Sequence, residues 1–233
     1  MSESLQHIAV IMDGNRRWAR KHNLPTASGH RKGAETLQNI VKATVDCGVR
    51  YLTLYAFSTE NWQRDSSEVS DLMALLRQYL AHELKEIQEN GVRIIFIGER
   101  QMLDKDIIDK MSEIERNTLH NQKLTLCIAL SYGSRQEIVS AAKKIASMVK
   151  RGDIKTNDID IKMLSDMLYT KDVPDPDLLI RTGGDFRISN YLLWQIAYSE
   201  LFFTPTLWPD FSSEELKQII QDFNNRERRY GKG

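Results

Sequence analysis

The stretch His7-Ile8-Ala9-Val10-Ile11-Met12-Asp13-Gly14-Asn15-Arg16-Arg17-Trp18 decides how the rest of the chain is read. Ile8 to Met12 is an unbroken apolar run, short enough for a strand buried on both faces. Asp13-Gly14-Asn15 breaks it with a polar turn, and a helix follows. In an open α/β sheet, ligands bind beyond the carboxyl ends of the strands. A helix N-terminus there offers unpaired N–H groups to an anion. Arg16, Arg17 and Arg20 add charge-assisted hydrogen bonds of the kind that grip phosphate. Asp13 alone would repel phosphate, so its presence calls for a hard bridging cation such as Mg²⁺. The plainer reading is a capped helix with a solvated basic start.

Outward from this stretch, strands alternate with helices. A loop with Pro25 leads to a helix starting at Gly29-His30-Arg31-Lys32-Gly33 and stopped by Gly48. Tyr51 to Phe57 is a second strand, with the polar turn Ser58-Thr59-Glu60-Asn61-Trp62 at its end. The apolar stripe from Val69 to Ile87 predicts the longest helix, Ser66 to about Glu89, and Leu75 and Tyr79 make that stripe wider than one contact face. Arg93 to Ile97 and Lys123 to Leu130 are strands. Helices are expected over Asp104–Leu119, Gln136–Val149 and Asp158–Tyr169. Leu178 to Ile180 is a short buried strand ending in Arg181-Thr182-Gly183-Gly184. Asn190 to Tyr198 is apolar, Leu201 to Phe203 is a last strand, and Ser213 to Asn225 a last helix. Alternation of this kind means parallel pairing through crossover helices. With no repeat, low-complexity segment or linker, residues 1–233 form one α/β domain.

Composition narrows the class. The 233 residues are 41% hydrophobic and 27% charged with zero net charge, enough for a sizeable core and without the basic excess of a nucleic-acid binder. Cys47 and Cys127 lack metal-ligand spacing and read as core residues in a reducing compartment. MSESLQ carries no signal-peptide pattern, and no apolar run spans a bilayer. A soluble cytoplasmic enzyme is expected, with peripheral membrane contact at most.

Three strand ends therefore carry polar clusters on one sheet edge: Asp13 to Arg17, Ser58 to Trp62, and Arg181 to Arg187. Arg181 and Arg187, flanking Gly183-Gly184 with Ser189 nearby, read as a second phosphate cradle. Surface carboxylates such as Asp185 and Asp177 would satisfy the same arginines in the plainer reading. Walker-type and dinucleotide glycine motifs are absent. The residues alone thus point to an α/β enzyme with two phosphorylated substrates.

HIAVIMDGNRRWA, GHRKGAE, YLTLYAFSTENWQR, LLIRTGGDFRISNYLLWQIAYSELFF and LWPDF, in this order, resemble the cis-prenyltransferase family, close to its bacterial undecaprenyl diphosphate synthases. The resemblance runs from His7 to Gly231. It implies a mostly parallel six-stranded sheet surrounded by helices, a hydrophobic tunnel, and a homodimer. It implies an enzyme that adds isopentenyl diphosphate to farnesyl diphosphate with Mg²⁺, giving a long polyprenyl diphosphate that serves as a lipid carrier precursor for cell-wall glycans. The DDxxD motif of trans-prenyltransferases is absent.

By the same resemblance, Asp13 is the carboxylate that acts with Mg²⁺, and Glu200 is a second carboxylate associated with the metal. Gly14, Asn15, Arg17 and His30 belong around the allylic diphosphate, and Arg16 and Trp18 are counted beside them as substrate-binding candidates. Arg181, Arg187 and Ser189 belong to the isopentenyl diphosphate site. Ser58, Glu60, Asn61, Trp62 and Arg64 match a mobile segment that orders the second substrate. Arg229-Tyr230-Gly231 resembles an ending that reaches across the dimer, and Leu124 matches a tunnel-floor leucine. The proton acceptor stays open among His30, a Ser58–Asn61 relay and diphosphate itself. Arg16 replaces a common glycine, and Thr26 stands where relatives can carry an arginine near the diphosphate. Two other readings compete: a non-catalytic partner subunit of the same fold, and a phosphoryl-transfer enzyme.

Overall fold

The computed structural model describes residues 5–83 and 89–226. Its six strands are β1 (His7–Ile11), β2 (Tyr51–Ser58), β3 (Val92–Ile97), β4 (Leu124–Tyr132), β5 (Leu178–Arg181) and β6 (Glu200–Phe203). They form one sheet in the order β3-β4-β2-β1-β5-β6, and every pairing is parallel. Among the described residues seven α-helices join them: α1 (Asn15–Lys21), α2 (Thr26–Asp46), α3 (Ser66–Gln78), α4 (Lys105–Asn117), α5 (Ser134–Arg151), α6 (Ile161–Met167) and α7 (Ser213–Asn224). The chain steps outward from β1 to β2, then crosses back over β1 to reach β5. The crevice between β1, β2 and β5 is therefore the switch point at which such sheets bind ligands.

All five residues of β1 are buried, as expected of a parallel strand covered on both faces. Side chains alternate between two cores. Ile8 and Val10 join the larger one with Leu52, Leu54, Leu126 and Ile40 of α2. Ala9 and Ile11 join a smaller one with Ala129, Tyr132, Leu179 and Tyr191. Cys127 is buried there and Cys47 is half-buried, both as free thiols; burial pushes the Cys127 thiol up to about 12. Burial raises the Cys47 thiol as well, so both favour the protonated form and pack with the core.

Two helices differ from the sequence expectation. α2 begins at Thr26, directly after Pro25, rather than at Gly29. Gly29 and Gly33 lie inside it because α1 passes too close for a side chain. A Cβ on Gly29 would sit 2.1 Å from the Asn15 carbonyl oxygen, and one on Gly33 would sit 2.4 Å from Asn15 Oδ1. The longest described helix is α2 with 21 residues, not the one from Ser66. α3 holds 13 residues and passes at Tyr79 into a wider π-helical turn to Glu83; the rest of the expected helix, over 84–88, lies outside the described residues. The apolar stretch Asn190 to Tyr198 winds through turns.

One irregularity in the sheet serves the site. The β2–β4 register slips between Tyr55 and Phe57, so Ala56 bulges out of the ladder. Bulges next to sites re-aim side chains, and Ala56 faces the cleft described below.

Candidate active site

The carboxyl ends of β1, β2 and β5 open into a cleft of about 970 Å³. Six arginines line it (Arg16, Arg17, Arg20, Arg64, Arg181 and Arg187) against three carboxylates, Asp13, Asp185 and Glu60. Low-dielectric walls bearing an excess of one charge focus the field on a ligand of the other sign. The cleft is thus built for a polyanion.

Its centre is a lattice of arginines and aspartates. Arg181, with a side chain 3% exposed, donates from Nη2 to Asp13 Oδ2 at 2.7 Å and from Nη1 to Ser189 Oγ at 2.9 Å. Arg17 reaches the other Asp13 oxygen at 3.0 Å and donates to the Gly183 carbonyl at 2.6 Å. Asp185 takes both arms of Arg187, each at 2.9 Å, and lies 3.3 Å from Arg17. The Arg187 guanidinium holds the Asp185 carboxyl below the usual carboxylate range. The backbone is fixed to match. Thr182 Oγ1 accepts from the Asp13 N–H at 3.0 Å and donates to the Asp13 carbonyl at 2.7 Å. Gly183 has φ +91, and a Cβ there would lie 2.5 Å from Arg17 Nη2, so only glycine suits the turn.

His30 stands where this cleft meets a second, apolar cavity of about 130 Å³. The two share Met12, Asn15, His30, Ala56, Phe57 and Leu72. The apolar cavity runs on between α2, α3 and the sheet, past Ala34, Leu37, Leu75, Leu76, Phe96 and Ile128. The wide apolar stripe of α3 is thereby explained. Met73 and Leu80 pack as core, while Leu72, Leu75 and Leu76 stay half-buried and wall the cavity. Burial pulls the His30 imidazole down to about 4, with Arg64 and Arg16 adding to that and Glu68 opposing. His30 is therefore neutral near pH 7. Its Nε2 and Asn15 Oδ1 are buried without a hydrogen-bond partner, and buried polar atoms normally have one. A polyanion head beside an apolar tail is the ligand shape this arrangement accommodates.

Comparison with known proteins agrees. The family profile described as "Putative undecaprenyl diphosphate synthase" matches residues 11–231. The chain belongs to the undecaprenyl diphosphate synthase family. It is 48% identical over 230 residues to "Isoprenyl transferase 2" of Bradyrhizobium diazoefficiens, covering 99% of this chain and 91% of that protein. It is 49% identical over 226 residues to "Isoprenyl transferase" of Agrobacterium fabrum, covering 97% and 92%. The crystal structure of lavandulyl diphosphate synthase from Lavandula x intermedia in complex with dimethylallyl diphosphate superposes with a TM-score of 0.94 at 33% identity, covering 98% of this chain and 99% of that one. That of "a probable undecaprenyl diphosphate synthase" from Campylobacter jejuni gives 0.82 at 35% identity, each chain covered completely. The protein is a prenyltransferase of the family's α/β fold.

Of the sixteen candidate catalytic, substrate-binding and metal residues, thirteen line the cleft: Asp13, Gly14, Asn15, Arg16, Arg17, His30, Ser58, Glu60, Asn61, Arg64, Arg181, Arg187 and Ser189. Three do not. Trp18 packs at a tilt against His22 and donates to Asp210, so it ties α1 to the segment after β6. Trp62 packs edge-on against Phe57 and donates to Ser131 Oγ at 2.9 Å. Glu200 starts β6 beside Leu178, which pairs with Ile8, and it contacts Arg226. Asp13 lies five residues beyond Ile8 and two strands away from β6, so within one chain the two carboxylates belong to different ends of the sheet. Arg229-Tyr230-Gly231 lies outside the described residues.

Other expectations shift in detail. Arg16 faces the cleft and pairs with Glu68 of α3 at 3.7 Å, although its side chain is 56% exposed. Thr26 and Arg31 line a groove between α2 and α3 that meets the cleft at His30 and Leu72 but are not themselves in the cleft lining, while Arg20 is. Asp185 does satisfy Arg187, as the plainer reading held. Asp177 instead accepts from the backbone N–H groups of Gln6 and His7 at the opposite sheet edge. Ser58 and Asn61 are locked in a reciprocal cap: Asn61 Oδ1 accepts from the Ser58 N–H at 3.1 Å, and the Ser58 side chain accepts from the Asn61 backbone. Sequence reasoning missed Tyr55 and Asn190 in the lining, and Thr182 behind it. Thr182 and Asn190 act through neighbours distant in sequence.

A magnesium ion fits the site. Mg²⁺ is characteristically held by one or two carboxylates together with substrate phosphates and water. Asp13, 27% exposed at the cleft, offers such a carboxylate. Among the described residues no group of three or more His, Cys, Asp or Glu forms an all-protein metal site. The metal would therefore depend on the substrate's own oxygens.

Proposed function

We propose that the protein extends farnesyl diphosphate with isopentenyl diphosphate units, in a Mg²⁺-dependent reaction, to a long polyprenyl diphosphate of undecaprenyl type that feeds cell-wall glycan synthesis. The observation that carries this reading is the junction at His30. There an arginine-lined cleft narrows directly into an apolar cavity between α2, α3 and the sheet. Condensation begins as the allylic C–O bond breaks and negative charge grows on the departing diphosphate. Arginines preset around that charge lower the barrier because they need no reorganisation as it forms. The apolar cavity takes the growing chain, at about 0.8 kcal/mol per buried CH₂. Bound Mg²⁺ would supply further charge neutralisation at the diphosphates from Asp13.

For the proton lost from isopentenyl diphosphate, neutral His30 has a free buried nitrogen. Ser58 and Asn61 are engaged with each other, and diphosphate remains the third acceptor. A second copy of this chain is the expected partner. Tyr198, 82% exposed, and Leu201, 43% exposed, give the β6 edge an apolar surface. No described helix is long and apolar enough to cross a membrane, and a cytoplasmic enzyme that releases its lipid by peripheral contact is the reading adopted. Incubation with labelled isopentenyl diphosphate, farnesyl diphosphate and Mg²⁺, followed by sizing of the extracted lipid, tests it. A long polyprenyl product is expected. Products stopping after one or two additions would assign the chain to short-chain synthesis, and no incorporation would overturn the reading.

A further inference from the structure

The loop carrying Ser189 is strained. Ser189, Asn190 and Leu192 have φ of 48, 61 and 46, a region L-residues rarely occupy. What holds it is Asn190. Its carbonyl accepts from the Ser134 N–H at 2.8 Å, and Oδ1 accepts from the Arg135 N–H at 2.9 Å, so it caps α5 from outside. Gly133, at the usual capping position, has no side chain to do so. A Cβ there would lie 2.5 Å from Thr59 Oγ1 and 2.8 Å from Asn190 Nδ2. The remaining arm of Asn190 reaches a second segment of the cleft lining: Nδ2 donates to Glu60 at 2.8 Å and also to Gln136 at 3.1 Å. Glu60 belongs to the turn Thr59–Gln63 that closes β2.

We propose that Asn190 is a positioning residue that ties the Ser189 loop to the Glu60 turn, so that these two segments of the cleft lining are set as one unit around the diphosphate held by Arg181, Arg187 and Ser189. The proposal rests on reading that cleft as the isopentenyl diphosphate site. The cap alone would only stabilise α5. The bond to Glu60 makes the placement of Ser189 Oγ, 2.9 Å from Arg181, depend on that second segment.

The two roles separate by substitution. Asn190→Asp keeps an oxygen to cap α5 and suits a positive φ, but sets a carboxylate against Glu60. Adding Glu60→Gln restores a donor to face it. We expect Asn190→Asp to raise KM for isopentenyl diphosphate at least tenfold, with KM for farnesyl diphosphate within about twofold and the melting temperature little changed. The same substitution in a Glu60→Gln background should raise that KM less than threefold. The four full-length proteins are also titrated calorimetrically with inorganic pyrophosphate, and the same coupling is expected in its affinity. If the wild type does not use isopentenyl diphosphate, the substrate reading fails and the pyrophosphate cycle alone decides the joint. Equal effects of Asn190→Asp in both backgrounds, or losses that follow melting temperature alone, would overturn the proposal.

Discussion

Arg181 Nη2 donates to Asp13 Oδ2 across 2.7 Å, joining the end of β5 to the turn beyond β1. The pair is unequal: the arginine side chain is 3% exposed and the carboxylate 27%. Asp13 is therefore the member a ligand can reach, and Arg181 the member that cannot leave. Asp13→Ala should abolish nearly all turnover at saturating Mg²⁺, and it should also cost stability, since it leaves a buried guanidinium short of one partner. Activity assays and thermal melts check both, and near-normal turnover would remove Asp13 from the reaction.

Arg187 offers a cleaner probe, because its side chain is 59% exposed. Arg187→Ala should leave the fold intact and remove one charge-assisted contact, worth roughly 1.5–3 kcal/mol. That corresponds to a weakening of about 10- to 150-fold for isopentenyl diphosphate. Farnesyl diphosphate should bind almost as before, and equal losses for both would show the two anion sites to be assigned the wrong way round.

Chain length should respond to the cavity walls. Ala56→Leu adds bulk where the cleft narrows and should stall elongation at short products. Phe96→Ala opens the inner wall and should lengthen them. Leu124, fully packed in the core, lies four residues before Ile128 on β4, about 13 Å deeper. Leu124→Ala should change only the longest products. Size profiles of dephosphorylated lipids report all three, and three unchanged profiles would place the growing chain elsewhere.

Acid should destabilise the fold through His7. It is buried at the far sheet edge, bonded to the Pro174 carbonyl and to Thr53 Oγ1, and burial pulls it down to about 4. The unfolded chain takes up this proton near 6.5 and the folded chain does not, so stability is full above 6.5 and declines as pH falls toward 4. The slope for one such group is about 1.4 kcal/mol per pH unit. His7→Gln should remove that much slope from denaturation measured between pH 6.5 and 4. An unchanged slope would mean His7 is not held neutral.

Much of this was legible in local sequence. The apolar run Ile8 to Met12, the alternation of periods and the three polar strand ends sufficed for a parallel sheet with one functional edge. What stayed hidden depended on contacts distant along the chain. Gly29 and Gly33 look like helix-start signals until Asn15 is seen against them. Trp18 and Trp62 look like site residues until their indole N–H groups find Asp210 and Ser131. Asn190 reads as the start of an apolar stretch, and only its partners, 54 to 130 positions away, reveal its use.

The glycine contact between α1 and α2 has a mechanical consequence. Eight residues of α2 are buried, and its backbone touches α1 with no room for even a methyl group, whereas α3 buries only Met73. Of the two helices flanking the apolar cavity, one is welded to the catalytic turn and the other rests on it lightly. A lengthening chain should therefore gain room at α3 rather than at α2, with Asp13 and Arg17 kept in place. Amide exchange should accordingly be faster throughout α3 than α2, and equal protection of the two helices would show both walls to be equally fixed.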